Sequence, residues 1–155
     1  MASTMLGDHN ELQPVVFRGM CDASGAIPLS SNVFAVADDE DNVLRIYDAE
    51  KGGYPINEVD ISSSLNLHRI PKKRKQGFKK PPETDMEAAT RSGDLAFWIT
   101  SHGLNASGKL HRARFHFLAT DIKQEIQSWT MNVVGFPYTT LMHDLIADPR
   151  FSSLQ

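Results

Sequence analysis

Val33-Phe-Ala-Val-Ala-Asp-Asp-Glu-Asp-Asn-Val-Leu-Arg-Ile-Tyr47 is the stretch that decides the fold. Two short runs rich in β-branched and aromatic residues flank five consecutive Asp, Glu and Asn residues, which is the pattern of two antiparallel strands joined by a tight turn. VFAVA is almost continuously apolar and reads as a central strand buried on both faces. VLRIYDA alternates and reads as half exposed. Outward from this hairpin, PVVFRGMC and SGAIPL precede it and Gly52-Gly53 and PINEVDI follow it, with turn residues every eight to twelve positions. Strand spacing therefore runs from about Val15 to Ile61.

The rhythm breaks over residues 62–82 and then returns. SSSLNLHRI leads into PKKRKQGFKKPP, which has prolines at both ends and six of the sixteen basic residues inside. The composition predicts an exposed loop. Beyond it come TDMEAAT, a turn at Ser92-Gly93-Asp94, LAFWITS, the polar stretch HGLNASGKLHRA, RFHFLATDI and IQSWTMNVVGF. Asn32 and Asp94 lie 62 residues apart, which sets VFAVA against LAFWI. Met20 with Ala23 is spaced like Met86 with Ala89, so each half reads as four strands in the same order. Repeated four-stranded units predict an all-β, β-propeller-like array of about two blades, and a single β-sandwich is the rival reading. The units are expected at residues 14–61 and 83–136, after a loose arm over 1–13. YTTLMHDLIADPRF changes period and predicts a short helix within 137–155, with Thr139 or Thr140 as N-cap and Pro149 as its stop.

Composition limits the chemistry. Sixteen Lys and Arg against nineteen Asp and Glu give a net charge of −3, but without the six in the loop only ten basic residues face the nineteen acids. The strand body is acidic, which disfavours nucleic acid, and the basic stretch at 71–76 is a candidate nuclear signal or partner-recruiting loop. No apolar run reaches membrane-spanning length and the first residues lack a signal-peptide pattern, so the expectation is a cytoplasmic protein. Cys21 stands alone, has no CxxC partner for zinc, and is expected to be buried and inert. The histidines lack zinc-ligand spacing, and there is no GxSxG elbow.

Three constellations remain. Asp38, Asp39 and Glu40 crowd one turn and are oxygen donors of the kind that hold Ca²⁺, although Gly and Glu are missing where an EF-hand needs them. The same residues also suit a plain acidic hairpin turn. Glu83, Asp85 and Glu87 alternate, so on a strand all three share a face, with Asp22 in a comparable place in the first unit. Asp85 and Glu87 thus join Asp38, Asp39 and Glu40 as candidate metal ligands. Ser101, His102 and Asn105 form the third group. Neighbours on a strand point oppositely, so Ser101 and His102 make no dyad, and with Asp22 and Asn105 they stand as ligand contacts. Glu87, His102 and Asn105 are the candidate catalytic residues.

FRGMCDASGAI, VFAVADDEDNVLRIY, PPETDMEAATRSGD, FWITSHGLNASGK and FLATDI, in this order, resemble the bacterial family known as domain of unknown function 3616. Arg18 stands where that family's pattern has Glu, and Ala88 where it has Gly. The family is similar in layout to phytase-like and esterase-like propellers, whose acidic residues hold Ca²⁺ and phosphate. The resemblance implies a propeller-like module with an acidic ligand- or cation-binding face. Two alternatives accompany it: a calcium-assisted phosphoester hydrolase acting on a phosphorylated small molecule, and a scaffold using the basic loop. Calcium is the one cofactor implied. Relatives are roughly twice as long, so the chain is expected to be a fragment or to complete its core by self-association.

Overall fold

The computed structural model describes residues 13–65, 67, 81–126 and 128–154. Among these residues eight strands form two antiparallel four-stranded sheets, each a simple meander. The first contains β1 (Ala23–Pro28), β2 (Val33–Asp38), β3 (Val43–Asp48) and β4 (Asn57–Asp60), and the second contains β5 (Met86–Ser92), β6 (Leu95–Thr100), β7 (Phe117–Gln124) and β8 (Trp129–Tyr138). A helix, α1 (Leu141–Ala147), follows β8. The protein is mostly β, and neither sheet closes into a barrel. Of the loose arm expected over 1–13, residues 1–12 fall outside the described residues, as does the basic stretch 71–76.

The sheets pack face to face, β1 on β5 and β4 beside β8. Ile27, Ala35, Leu44 and Ile46 of the first sheet meet Met86, Ala96, Trp98, Leu118, Ile122 and Met131 of the second, and Leu65 and Leu67 of the connection join them. Each large apolar side chain enclosed there stabilises the fold by about 2 kcal/mol. Trp98 is fully buried because its indole N–H has a partner, the Thr120 hydroxyl at 3.0 Å. Gly25 lets the backbones approach: a Cβ there would lie 3.0 Å from the Ala88 carbonyl carbon and 3.1 Å from the Ala89 nitrogen. At the other end the Asn57 side-chain amide donates to the Trp129 carbonyl at 2.7 Å.

β2 is the buried central strand its composition predicts. β3 departs from expectation, being buried along almost its whole length. Its outer face is roofed by the residues just before β1. Phe17 meets Phe34 and Tyr47 edge-on with ring centroids 5.0 and 5.4 Å apart, and Phe34 stacks on Tyr47 at 5.6 Å. The Tyr47 hydroxyl donates to the Arg18 carbonyl at 2.8 Å, and the Arg18 N–H donates to the Gly53 carbonyl at 2.8 Å. The sequence pattern missed this lid because PVVFRGMC reads as one more strand of the meander.

The internal repeat is present, with a corrected alignment. Ala23 pairs with Asp38 at the end of β2, and Met86 pairs with Thr100 at the end of β6. Met86 therefore matches Ala23 and not Met20. The Asn32 carbonyl accepts from Ala49 N–H and the Asp94 carbonyl from Ile122 N–H, so those two turns correspond as expected. Thr140 is the N-cap of α1, but its hydroxyl donates to the Asp144 carboxylate at 2.7 Å and not to the backbone. Pro149 opens a 3₁₀ turn instead of ending the chain's helical structure.

Candidate functional site

The polar cluster sits where the β1–β2 and β5–β6 ends of the two sheets converge. The Asp39 N–H donates to the Asp22 carbonyl at 3.1 Å, and at the matching place in the second sheet the Ser101 N–H donates to the Asp85 carbonyl at 2.8 Å. Asp39 and Ser101 are thus equivalent positions of the repeat. At both, the side chain carries a buried oxygen with no hydrogen-bond partner among the described residues: Oδ1 of Asp39 and Oγ of Ser101. His102 Nε2 is a third such atom. Its Nδ1 lies 2.8 Å from the Thr100 carbonyl, which only accepts, so in the neutral ring Nδ1 carries the proton and Nε2 is an acceptor. Buried polar groups ordinarily find partners, so three orphans at one end of the fold are conspicuous.

Backbone geometry sets these side chains. Asp85 and His102 both adopt left-handed conformations, φ 60° and 50°. Such values are uncommon for residues with a Cβ and cost of order 1 to 3 kcal/mol. The His102 N–H is held by the Arg114 carbonyl at 2.8 Å, and its ring meets Phe115 edge-on at 5.5 Å. Arg114 in turn pairs with the Asp85 carboxylate at 3.1 Å. Asp39 has its pKa raised, first by burial and then by the charges of Asp22, Glu40, Asp38 and Asp85, so three carboxylates from the first sheet's end and one from the second's bear on it.

The candidate metal ligands have different surroundings. Asp38, only 2% exposed, is a structural anchor: its carboxylate accepts from the N–H groups of Cys21 at 2.8 Å, Asp22 at 3.3 Å and Glu40 at 3.0 Å, and lies 3.7 Å from Arg45. Arg45 pairs in bidentate fashion with Asp41, at 2.5 and 3.1 Å, and also with Glu58 at 3.2 Å. Glu83, Asp85 and Glu87 do not share a strand face. β5 begins only at Met86, and a bulge between Met86 and Ala88 carries Glu87 out of the alternation into solvent. Among the described residues no three His, Cys, Asp or Glu side chains are arranged to hold a metal ion.

Asn105 has a local role: its Oδ1 accepts from the N–H groups of Ser107 at 3.0 Å and Lys109 at 2.9 Å and shapes that turn. It also lines a cavity of about 290 Å³ with Glu83, Ser107, His111 and Arg114. A cavity of about 390 Å³ lies against Leu110, Arg112, Phe115, His116 and Thr139. His116 is 5% exposed with Nδ1 3.0 Å from the Ala113 carbonyl, and burial lowers its pKa. Cys21, expected to be buried, is exposed, with its own N–H donating to the Asp38 carboxylate and the carbonyl of the next residue, Asp22, accepting from Asp39.

Fold and site define an all-β protein of two stacked meanders that present a mixed acidic and imidazole cluster at one end. Comparison with known proteins returns no matching family model, no matching curated protein and no matching solved structure. No helix among the described residues is long and apolar enough to cross a membrane.

Proposed function

We propose that the two sheets are successive blades of a propeller-like array and that their converging acidic end binds a small polar ligand rich in hydrogen-bond donors, best matched by a protonated amine. One observation carries the reading: equivalent positions of the repeat, Asp39 and Ser101, each hold a buried oxygen with no partner among the described residues, and His102 adds an unpartnered ring nitrogen. Asp39 Oδ1 and His102 Nε2 are acceptors, and the surrounding carboxylates favour a positive guest. A protonated amine supplies charge and N–H donors together. The resemblance to domain of unknown function 3616 belongs to the same proposal.

Calorimetric titration with spermidine, and separately with CaCl₂, tests it. Spermidine is expected to bind the wild type and to lose about tenfold or more in affinity in Asp39→Asn, the size of one charge-assisted hydrogen bond. Binding of Ca²⁺ alone replaces the amine by a metal as the guest. Heat from neither probe refutes a cation-binding end.

A further inference from the structure

The outer faces of the two sheets are treated unequally. That of the first sheet is closed by Phe17, which covers Phe34 and Tyr47 and leaves Tyr47 with no exposed surface. The register of β6, β7 and β8 puts Leu95, Phe97, Ile99, Phe117, Ala119 and Val134 together on the corresponding face of the second sheet. Phe97 and Phe117 stack there at 6.0 Å, and Val134 is 46% exposed. From Val134 the chain continues into Phe136, 93% exposed, and then α1, where Met142, Leu145 and Ile146 also stand open.

From this we infer that the outer face of the second sheet is a self-association surface that takes a second copy of this chain, face to face across a twofold axis. Three features select that occupant. First, the face is electrically self-compatible. Its charged side chains on β7, Asp121 and Lys123, pair at 3.0 Å and cancel, so apposing two copies brings no net like charge together even though the chain as a whole is acidic. Second, the size fits. Four strands about 4.8 Å apart and about six residues long present about 400 Å² in projection. Side-chain relief and the apolar residues from Phe136 onward extend this toward the roughly 800 Å² per partner of a standard interface. Third, the alternative head-to-tail stack would not meet an open sheet. It would seat this face on the outer face of the first sheet in the next copy, where Phe17 already lies. An isologous pair closes on itself and leaves the acidic ends of both copies available.

Sedimentation equilibrium of the full chain tests the surface. The wild type is expected to reach twice its 17.3 kDa mass at tens of micromolar and to dissociate on dilution. Val134→Glu, at a site already exposed, is expected to weaken the pair at least tenfold, with far-UV circular dichroism confirming that the strands remain. Lys123→Asp, which leaves two acids on each face, should weaken it as well, and Asp121→Lys combined with Lys123→Asp should restore it. A monomer up to hundreds of micromolar, including one that binds a different protein through this face, overturns the inference. So does a mass above the dimer, or a dimer indifferent to both Val134→Glu and Lys123→Asp.

Discussion

Replacing Asn42 by alanine isolates the joint between the sheets. Asn42 is 5% exposed at the end of the acidic turn, and its amide reaches across to the strand of chain entering the second sheet. Its Nδ2 donates to the Pro82 carbonyl at 3.0 Å and the Ser62 hydroxyl at 3.2 Å, and its Oδ1 accepts from the Thr84 N–H at 3.0 Å and the Thr84 hydroxyl at 2.9 Å. The Thr84 hydroxyl and Ser62 have rotational freedom to find other partners. The Thr84 N–H and Pro82 carbonyl do not, since Thr84 is fully buried and both belong to the backbone. Two stranded buried groups at about 1 to 3 kcal/mol each give a loss of about 3 kcal/mol. A domain of this size has about 5 to 15 kcal/mol in all, so the change is large. In urea, with a slope of about 2 kcal/mol per molar, the midpoint should fall by about 1.5 M. Ser62→Ala, which removes only the longest of these bonds, should shift it by less than about 0.5 M. An Asn42→Ala midpoint within about 0.3 M of wild type would mean that the joint is not held by this side chain.

Gly25→Ala should cost about 1 to 3 kcal/mol, because the new methyl meets rigid backbone of β5 and not a movable side chain; thermal melts read this directly. Asp39→Asn should raise the melting temperature at neutral pH, since burial and four neighbouring acids disfavour its charge, and an unchanged or lower value refutes the crowding argument. Burial lowers the pKa of His116, so the unfolded chain takes up its proton first as pH falls below about 6.5. That contribution is intact above this value and lost below it. Urea midpoints at pH 7.5 and 5 should therefore differ more for wild type than for His116→Gln.

The strands were legible because each is a short run of β-branched and aromatic residues closed by turn formers. VFAVA and LAFWI declare themselves by composition, and their 62-residue offset sets matching strands side by side. The burial of β3 was hidden because its cover comes from Phe17, distant in sequence from Tyr47, and alternation says nothing about a roof supplied from elsewhere. For the site, the residue types were readable but their partners were not. Asp38 and Asp39 are adjacent, yet one is tied to three backbone N–H groups and the other keeps an oxygen without a partner. Alternation of Glu83, Asp85 and Glu87 suggested a shared face, but a left-handed residue and a bulge, neither with a sequence mark here, disperse them. Ser101 and His102 lie beyond the end of β6, where His102 turns left-handed, so strand alternation does not govern them, and Ser101 Oγ and His102 Nε2 both stand without a partner among the described residues.

The Phe17 roof also bears on the order in which the molecule is made. The residues that cover the first sheet leave the ribosome before the strands they cover, and they rest on β2 and β3, which follow within about 30 residues. The first meander can thus seal one of its faces while the second is still being translated, leaving only the side that will receive β5 exposed to solvent. Synthesis from the amino end then presents a nascent chain with one sticky surface at a time. A rearrangement of the same strands that moved Phe17 to the carboxyl end would keep the finished contacts and lose that protection.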